Sequence, residues 1–207
     1  MFGVLGPVAV NEGAAEIDLG GPKQRAVLAM LIARSGDPVS ADSLITATYG
    51  DDAAPNAKRR IQVYVSTLRG QLGERITKSG SGWELDVDDD AIDARRFERL
   101  LRSGRGLVES SPETAAEVLR EALSLWRGHP YADIEAHGTL DGEIRRLEEL
   151  RIAAQGARIE ADLALGHHAE LIGELDALVI EHPYVESFRA QHMLALYRAG
   201  RQYEALR

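Results

Sequence analysis

Residues 56–73 read NAKRRIQVYVSTLRGQLG, and the way this stretch separates charge from apolar surface governs the reading of the whole chain. At 100° per residue, Ile61, Tyr64, Val65, Leu68 and Leu72 fall within one narrow arc, the stripe of a helix that faces a core. Across the cylinder stand Arg59, Gln62, Val63, Ser66, Arg69 and Gly70, flanked by Lys58 and Arg60, with no carboxylate among them. A solvated helix normally intersperses Glu with Arg and Lys and gains i, i+4 pairs, and this one does not. The pattern predicts an amphipathic helix whose outer face meets something negative.

The totals pull the other way. The chain has 207 residues, a formal charge of -9, 44% apolar and 28% charged residues, the balance of a globular protein rather than a disordered one. Nucleic-acid binders are usually basic overall. Residues 57–83, however, hold Lys58, Arg59, Arg60, Arg69, Arg75 and Lys78 against Glu74 alone. With a Debye length of about 8 Å at physiological salt, distant acidic residues are largely screened from that patch. The absence of cysteine removes disulfides, thiolate nucleophiles and cysteine-ligated zinc, and fits a reducing, cytoplasmic setting. The opening MFGVLGPVAV has no basic lead and is cut by Gly6 and Pro7, so it reads as neither signal peptide nor membrane span.

Outward from residues 56–73, the first ninety residues mix strand and helix signals. FGVLGPVAVN (2–11) and AEIDLG (15–20) are short, β-rich and broken by Gly, Pro and Asn, as in a small antiparallel sheet. PKQRAVLAMLIARSG (22–36) has apolar positions at Val27, Leu28, Leu31 and Ile32, is opened by Pro22 and is closed by Gly36, which predicts a helix. A second helix starts at Ser40, a good N-cap, and runs to Gly50. Asp51 and Asp52 border the next helix start, where negative charge suits the dipole. RITKSGSGWELDV (75–87) reads as strand, Gly-Ser turn, strand. A helix pair with a basic second member, followed by a hairpin, is the layout of a winged helix-turn-helix, whose second helix enters the major groove.

From about Ala91 helix follows helix. ALGHHAEL (164–171) and RAGRQYEAL (198–206) align Gly166 on Gly200 and Glu170 on Glu204 at an offset of about 34, the tetratricopeptide period. Ile159 meets Met193 and Leu163 meets Tyr197 at the same offset. An earlier half-copy, AAEVLREALSLWRGHP (115–130), matches HAELIGELDALVIEHP (168–183) and places His129-Pro130 on His182-Pro183. The extra residues suggest an inserted loop near YADIEAHGTLDGE (131–143). The repeat predicts a last helix running to about residue 215, so the expectation is that the sequence continues in a longer polypeptide. The boundary is placed in DVDDDAID (86–93), read as a solvated linker, with a contact to basic residues as the other reading. The expected fold is mainly α with a small β component: a winged helix over residues 1–90 and an all-α tetratricopeptide-like domain over 91–207.

Taken together, PKQRAVLAMLIARSGDPVSADSLI, RRIQVYVSTLRGQLG, SGSGWELDVDDDAIDARRFERL, AAEVLREALSLWRG and ALYRAGRQYEALR resemble the Streptomyces antibiotic regulatory protein family of actinobacterial transcription activators. The resemblance covers essentially the whole chain. It implies an OmpR-type winged helix followed by a bacterial transcriptional activation domain, control of antibiotic biosynthesis, binding to direct-repeat promoter sites as a homodimer on double-stranded DNA, and contact with RNA polymerase. Gly70 departs from the family, in which that position is often basic, and implies fewer phosphate contacts.

Arg59, Gln62, Val63, Ser66 and Arg69 are the residues placed against DNA. Arg can grip guanine, Gln can grip adenine, and an exposed Val can touch a thymine methyl. Lys58, Arg60 and Lys78 are assigned to phosphate. Trp83 is expected to pack beneath the wing sheet, and Trp126 and Tyr197 to pack on helical apolar stripes. The histidines form no ligand pair of metal-site spacing, no phosphate-binding loop motif occurs, and no catalytic constellation is found, so neither metal, cofactor nor enzyme activity is expected. The competing class is a protein-interaction scaffold in which the helical repeats bind a partner and the winged helix does not read DNA.

Overall fold

The computed structural model describes residues 1–135 and 137–206. Six short strands and nine α-helices fall into two compact units among these residues: Met1–Phe97 with Leu125–Glu149, and Glu98–Ser124 with Leu150–Arg207.

The first unit opens with an antiparallel sheet of β1 (Phe2–Gly3), β2 (Ala9–Glu12) and β3 (Ala15–Glu16). The β2–β3 turn passes through Gly13 at φ +61, a left-handed conformation that glycine adopts without a Cβ penalty. Next comes α1 (Pro22–Ala33), with Pro at its start as the sequence requires. Its residues Ala26, Val27, Leu28, Ala29, Met30, Leu31 and Ile32 are all buried, so the helix is enclosed on every side and forms the axis of this core. Each of its large apolar side chains contributes roughly 1.5–3 kcal/mol by leaving water. β4 (Val39–Ser40) leads into α2 (Ala41–Tyr49), and the Ser40 hydroxyl accepts the backbone N–H of Ser43 at 3.0 Å, the N-cap expected from the sequence. After α3 (Ala57–Leu72), β5 (Ile76–Ser79) and β6 (Gly82–Leu85) form a hairpin that β4 joins, in the order β4-β6-β5. Asp51 and Asp52 lie in the turn after α2 and not at the start of α3, which begins at Ala57.

The acidic run is not a simple linker. Asp89–Ala91 form a 3-10 turn, Ile92 bridges to Phe2, and Asp93 begins α4 (Asp93–Leu107) with its carboxylate buried. A strap from beyond residue 124 completes the unit. The backbone N–H groups of Arg127, Tyr131 and Ala132 donate to the carbonyls of Leu5, Val4 and Gly6 at 2.7, 3.0 and 3.3 Å, and Asp133 accepts the N–H of Val8 at 2.7 Å. Tyr131 adopts φ +56 and is 1% exposed. Such a backbone for a bulky residue persists only where its surroundings enforce it, here a filled socket and the bond to Val4. Burial pushes its phenol pKa upward.

Trp126 packs as expected but not on a helix, and the packing expected of Tyr197 gives way. α5 (Pro112–Ser124) stops before Trp126, which sits in irregular chain with its ring edge-on to Phe97 at 5.3 Å. Tyr197 is 63% exposed rather than packed. The inserted segment is non-helical only as far as Gly138; α6 (Thr139–Ala164) takes its last residues, and Ala136 lies outside the described residues.

The second unit is a run of helical hairpins, with α7 (His168–Glu181), α8 (Glu186–Arg198) and α9 (Gln202–Ala205) following α6. The 34-residue offset holds element by element: α6 ends at Ala164 and α8 at Arg198, α7 begins at His168 and α9 at Gln202. Gly166 and Gly200 turn the two corners at φ +90 and +79. Ile159, Leu163, Leu171, Leu175 and Phe188 form the core. Between the helices Asp162, 3% exposed, receives the guanidinium of Arg158 at 3.1 Å and that of Arg120, while Arg158 also binds Glu174.

Candidate nucleic-acid interface

The outer face of α3 is built by what its inner face buries. Ile61, Val65, Leu68 and Leu72 are all within 3% of full burial, and they fix the rotation of the helix about its axis. Lys58, Arg59, Gln62, Val63, Ser66, Arg69 and Gly70 are consequently all exposed, Val63 at 56%. Among the described residues none of Lys58, Arg59, Arg69 and Lys78 forms a salt bridge. The face is therefore positive and uncompensated within the first unit.

The start of α3 is steadied by a cationic corner. Lys23 donates to the carbonyl of Thr48 at 2.7 Å and lies 5.3 Å from the Tyr49 ring centre, and the Arg60 guanidinium stands 6.0 Å from the same ring. Both are cation–π distances. Burial, reinforced by neighbouring Tyr64, pushes the Tyr49 phenol up to about 12, so the ring stays neutral between the two cations. Arg60 thus leans back on Tyr49, which sets it apart from Arg59 one position earlier.

The wing is anchored at both ends. The β5–β6 turn passes through Gly80 at φ +58, and Lys78 and Trp83 face one another in the strand register. The carbonyl of Leu85 accepts the N–H of Gly36 at 3.3 Å and the Ser35 hydroxyl at 3.1 Å, and Arg75 pairs with Glu12 at 2.6 Å. Lys78 is exposed near the tip.

Trp83 departs from its expected place beneath the sheet. It is half-buried, and its side chain helps line an open groove of about 400 Å³ with Gln62, Ser66, Arg69, Gly70 and Glu74. Trp83 alternates with Glu84 and shares its face with buried Leu85, but strand alternation assigns a face and not its cover.

The arrangement offers an exposed cationic helix beside a wing. Among the described residues no three His, Asp or Glu side chains are grouped to hold a metal, and no helix is long and apolar enough to cross a membrane.

Two family models match the chain. The family model of the bacterial transcriptional activator domain matches residues 92–207, and that of the C-terminal domain of transcriptional regulatory proteins matches residues 15–85. The regulatory protein DnrI of Streptomyces peucetius is 33% identical over 216 residues, covering 98% of this chain and 79% of that protein. The regulatory protein AfsR of Streptomyces griseus is 35% identical over 207 residues, covering 99% of this chain and 21% of that protein. The solved structure of Mycobacterium tuberculosis EmbR, in complex with a low-affinity phosphopeptide, matches with a TM-score of 0.94 at 34% identity, over 99% of this chain and 56% of that one. The chain therefore spans between 21% and 79% of the length of these relatives.

Proposed function

The chain belongs to the Streptomyces antibiotic regulatory protein family of transcription regulators, and from that premise we propose that it is a sequence-specific DNA-binding activator and not an enzyme. The observation that carries the reading is the exposed face of α3, whose cations have no carboxylate partner among the described residues. In the major groove, Arg59 and Arg69 can each hold guanine O6 and N7 in a bidentate pair, Gln62 can hold adenine, and Val63 can touch a thymine methyl. Ser66 donates to a base edge or a phosphate. Lys58, Arg60 and Lys78 hold phosphates and set the register without reading sequence.

In this reading residues 1–90 form the DNA-binding module and residues 91–207 the activation module. Its sites are direct repeats in promoters of antibiotic biosynthesis genes, occupied by a homodimer, and its helical repeats contact RNA polymerase. It works in the cytoplasm. The scaffold alternative leaves the cationic face without a purpose and is the weaker reading.

Selection of bound duplexes from a random pool tests the proposal. Enrichment of a motif repeated in the same orientation, with centres about one or two helical turns apart, is the expected result. Failure to enrich any motif, at low salt where phosphate contacts are strongest, would overturn it.

A further inference from the structure

A groove between α3 and the wing opens on the proposed DNA face, and nothing in the roles given above to the α3 and wing side chains accounts for it. Gly70 is among the residues that line it. A Cβ built at Gly70 meets nothing within 4 Å, so the fold has no need of a glycine there, and glycine inside a helix costs about 1 kcal/mol relative to alanine. What the glycine leaves is open space in a groove that the half-buried Trp83 also lines.

The indole is held there by a second glycine. At Gly82 a Cβ would stand 2.1 Å from the carbonyl oxygen of Val39, so β6 approaches β4 closely, and the backbone of Trp83 is paired to Val39 in the next register position. Lys78 lies directly opposite Trp83 in the β5–β6 register, and directly opposed residues of an antiparallel pair leave the sheet on the same face. The groove thus has a cation on its helix rim, Arg69, and a cation beside its wing rim, Lys78, with an apolar ring between them. Glu74 also lines it, so a phosphate is repelled from that end.

We propose that Trp83 and the notch left by Gly70 seat the sugar-phosphate backbone of one strand of the bound duplex, the uncharged deoxyribose lying over the indole and its flanking phosphates turned to Arg69 and Lys78. The proposal rests on the DNA-binding reading above. It follows from the division of chemistry along a nucleic-acid strand, in which charged phosphate alternates with an apolar sugar face, and from the match of that alternation to cation, aromatic ring, cation. The chain replaces a cation on α3 with an aromatic contact, so this part of its affinity does not weaken with salt.

The test uses the whole chain and the duplex enriched from the random pool. With Trp126→Phe, Trp83 is the sole remaining tryptophan of two, and stoichiometric duplex is expected to change its emission. Gly70→Leu puts bulk into the groove from an exposed helix position where a Cβ meets nothing within 4 Å. It is expected to weaken binding about tenfold and abolish the emission change, and Trp83→Leu to weaken binding about tenfold at an unchanged salt slope. Full affinity in Gly70→Leu, or a complex that forms without any change in Trp83 emission, overturns the seat while DNA binding stands. If the unaltered chain retards no duplex even at low salt, the DNA-binding reading falls and the seat falls with it.

Discussion

The carboxylate of Asp93 accepts the backbone N–H of Val4 at 2.8 Å, across a separation of 89 residues. It also accepts the N–H of Leu5 at 3.1 Å and stands 3.5 Å from the guanidinium of Arg127. One buried acid thereby ties the first strand, the start of α4 and the strap after α5 into a single unit. Asp93→Ala leaves two backbone donors and a cation without their acceptor, and is expected to cost about 3 kcal/mol or more in urea unfolding.

Burial is the largest influence on this carboxyl and raises its pKa from 3.8, with the bonds from Val4 and Leu5 and the charge of Arg127 pulling it back. A native value above the unfolded one means that protonation favours the folded state. The proton-linked part of the Asp93 contribution is fully present below pH 3.8 and is lost as pH rises through the raised native value. The stability difference between the unaltered chain and Asp93→Asn is accordingly expected to shrink as pH rises over that window. A difference that grows instead would mean that the hydrogen bonds and Arg127 outweigh burial.

Local periodicity made α3, the capped α2, the hairpin and the 34-residue repeat legible, because each depends on neighbours within a turn or on a fixed offset. Asp93 was not legible, since its partners lie 89 and 34 residues away and acidic runs usually face water. Tyr131 and Tyr184 occupy the same place in the two His-Pro-Tyr copies, yet one is 1% and the other 95% exposed. Sequence similarity fixes neither the local backbone, since Tyr131 takes a positive φ and Tyr184 does not, nor what covers the side chain. Cover differs likewise between Leu163, 4% exposed, and its repeat mate Tyr197, 63% exposed. For the proposed DNA face, the residues were legible as a face; the groove was not, because it lies between α3 and a wing that is distant in sequence from most of that helix.

In the second unit Asp162 neutralises Arg158, itself 8% exposed. Removing the acid alone leaves a buried guanidinium with Glu174 as its remaining acidic partner among the described residues. Asp162→Ala is expected to lose about 3–5 kcal/mol, and replacement of both partners by apolar residues, Asp162→Leu with Arg158→Met, to recover most of that loss. Equal instability of the single and double variants in chemical denaturation would show that packing and not charge pairing dominates the site.

Arg59 and Arg69 separate base reading from phosphate holding. If each grips guanine, its replacement by Ala costs about 1–3 kcal/mol of affinity and relaxes preference at one base position. Lys58→Ala is expected instead to weaken all duplexes alike and to lower the salt slope by about one. Titration of enriched and scrambled duplexes across a salt series distinguishes the two behaviours, and an unchanged preference in both Arg variants would assign them to phosphate.

Two glycine substitutions of the same chemistry should move stability in opposite directions. At Gly82 the added methyl group of alanine would stand 2.1 Å from the Val39 carbonyl oxygen and 2.7 Å from its carbon. These are backbone atoms of a paired strand, so β4 and β6 must part and the Val39–Trp83 and Ser40–Gly82 register is lost. The expected cost is about 1–3 kcal/mol. Because Ser40 is also the N-cap of α2, the disturbance reaches the helix pair as well as the wing, and affinity for the enriched duplex should fall. Gly106 is an exposed residue of α4 at which a Cβ meets nothing within 4 Å. Alanine there only narrows the unfolded ensemble and favours helix, a gain of about 0.4–1 kcal/mol, with DNA affinity unchanged. Thermal unfolding of the two variants beside the unaltered chain reads the signs directly. A stabilised Gly82→Ala would mean that the wing is not held by its contact with β4.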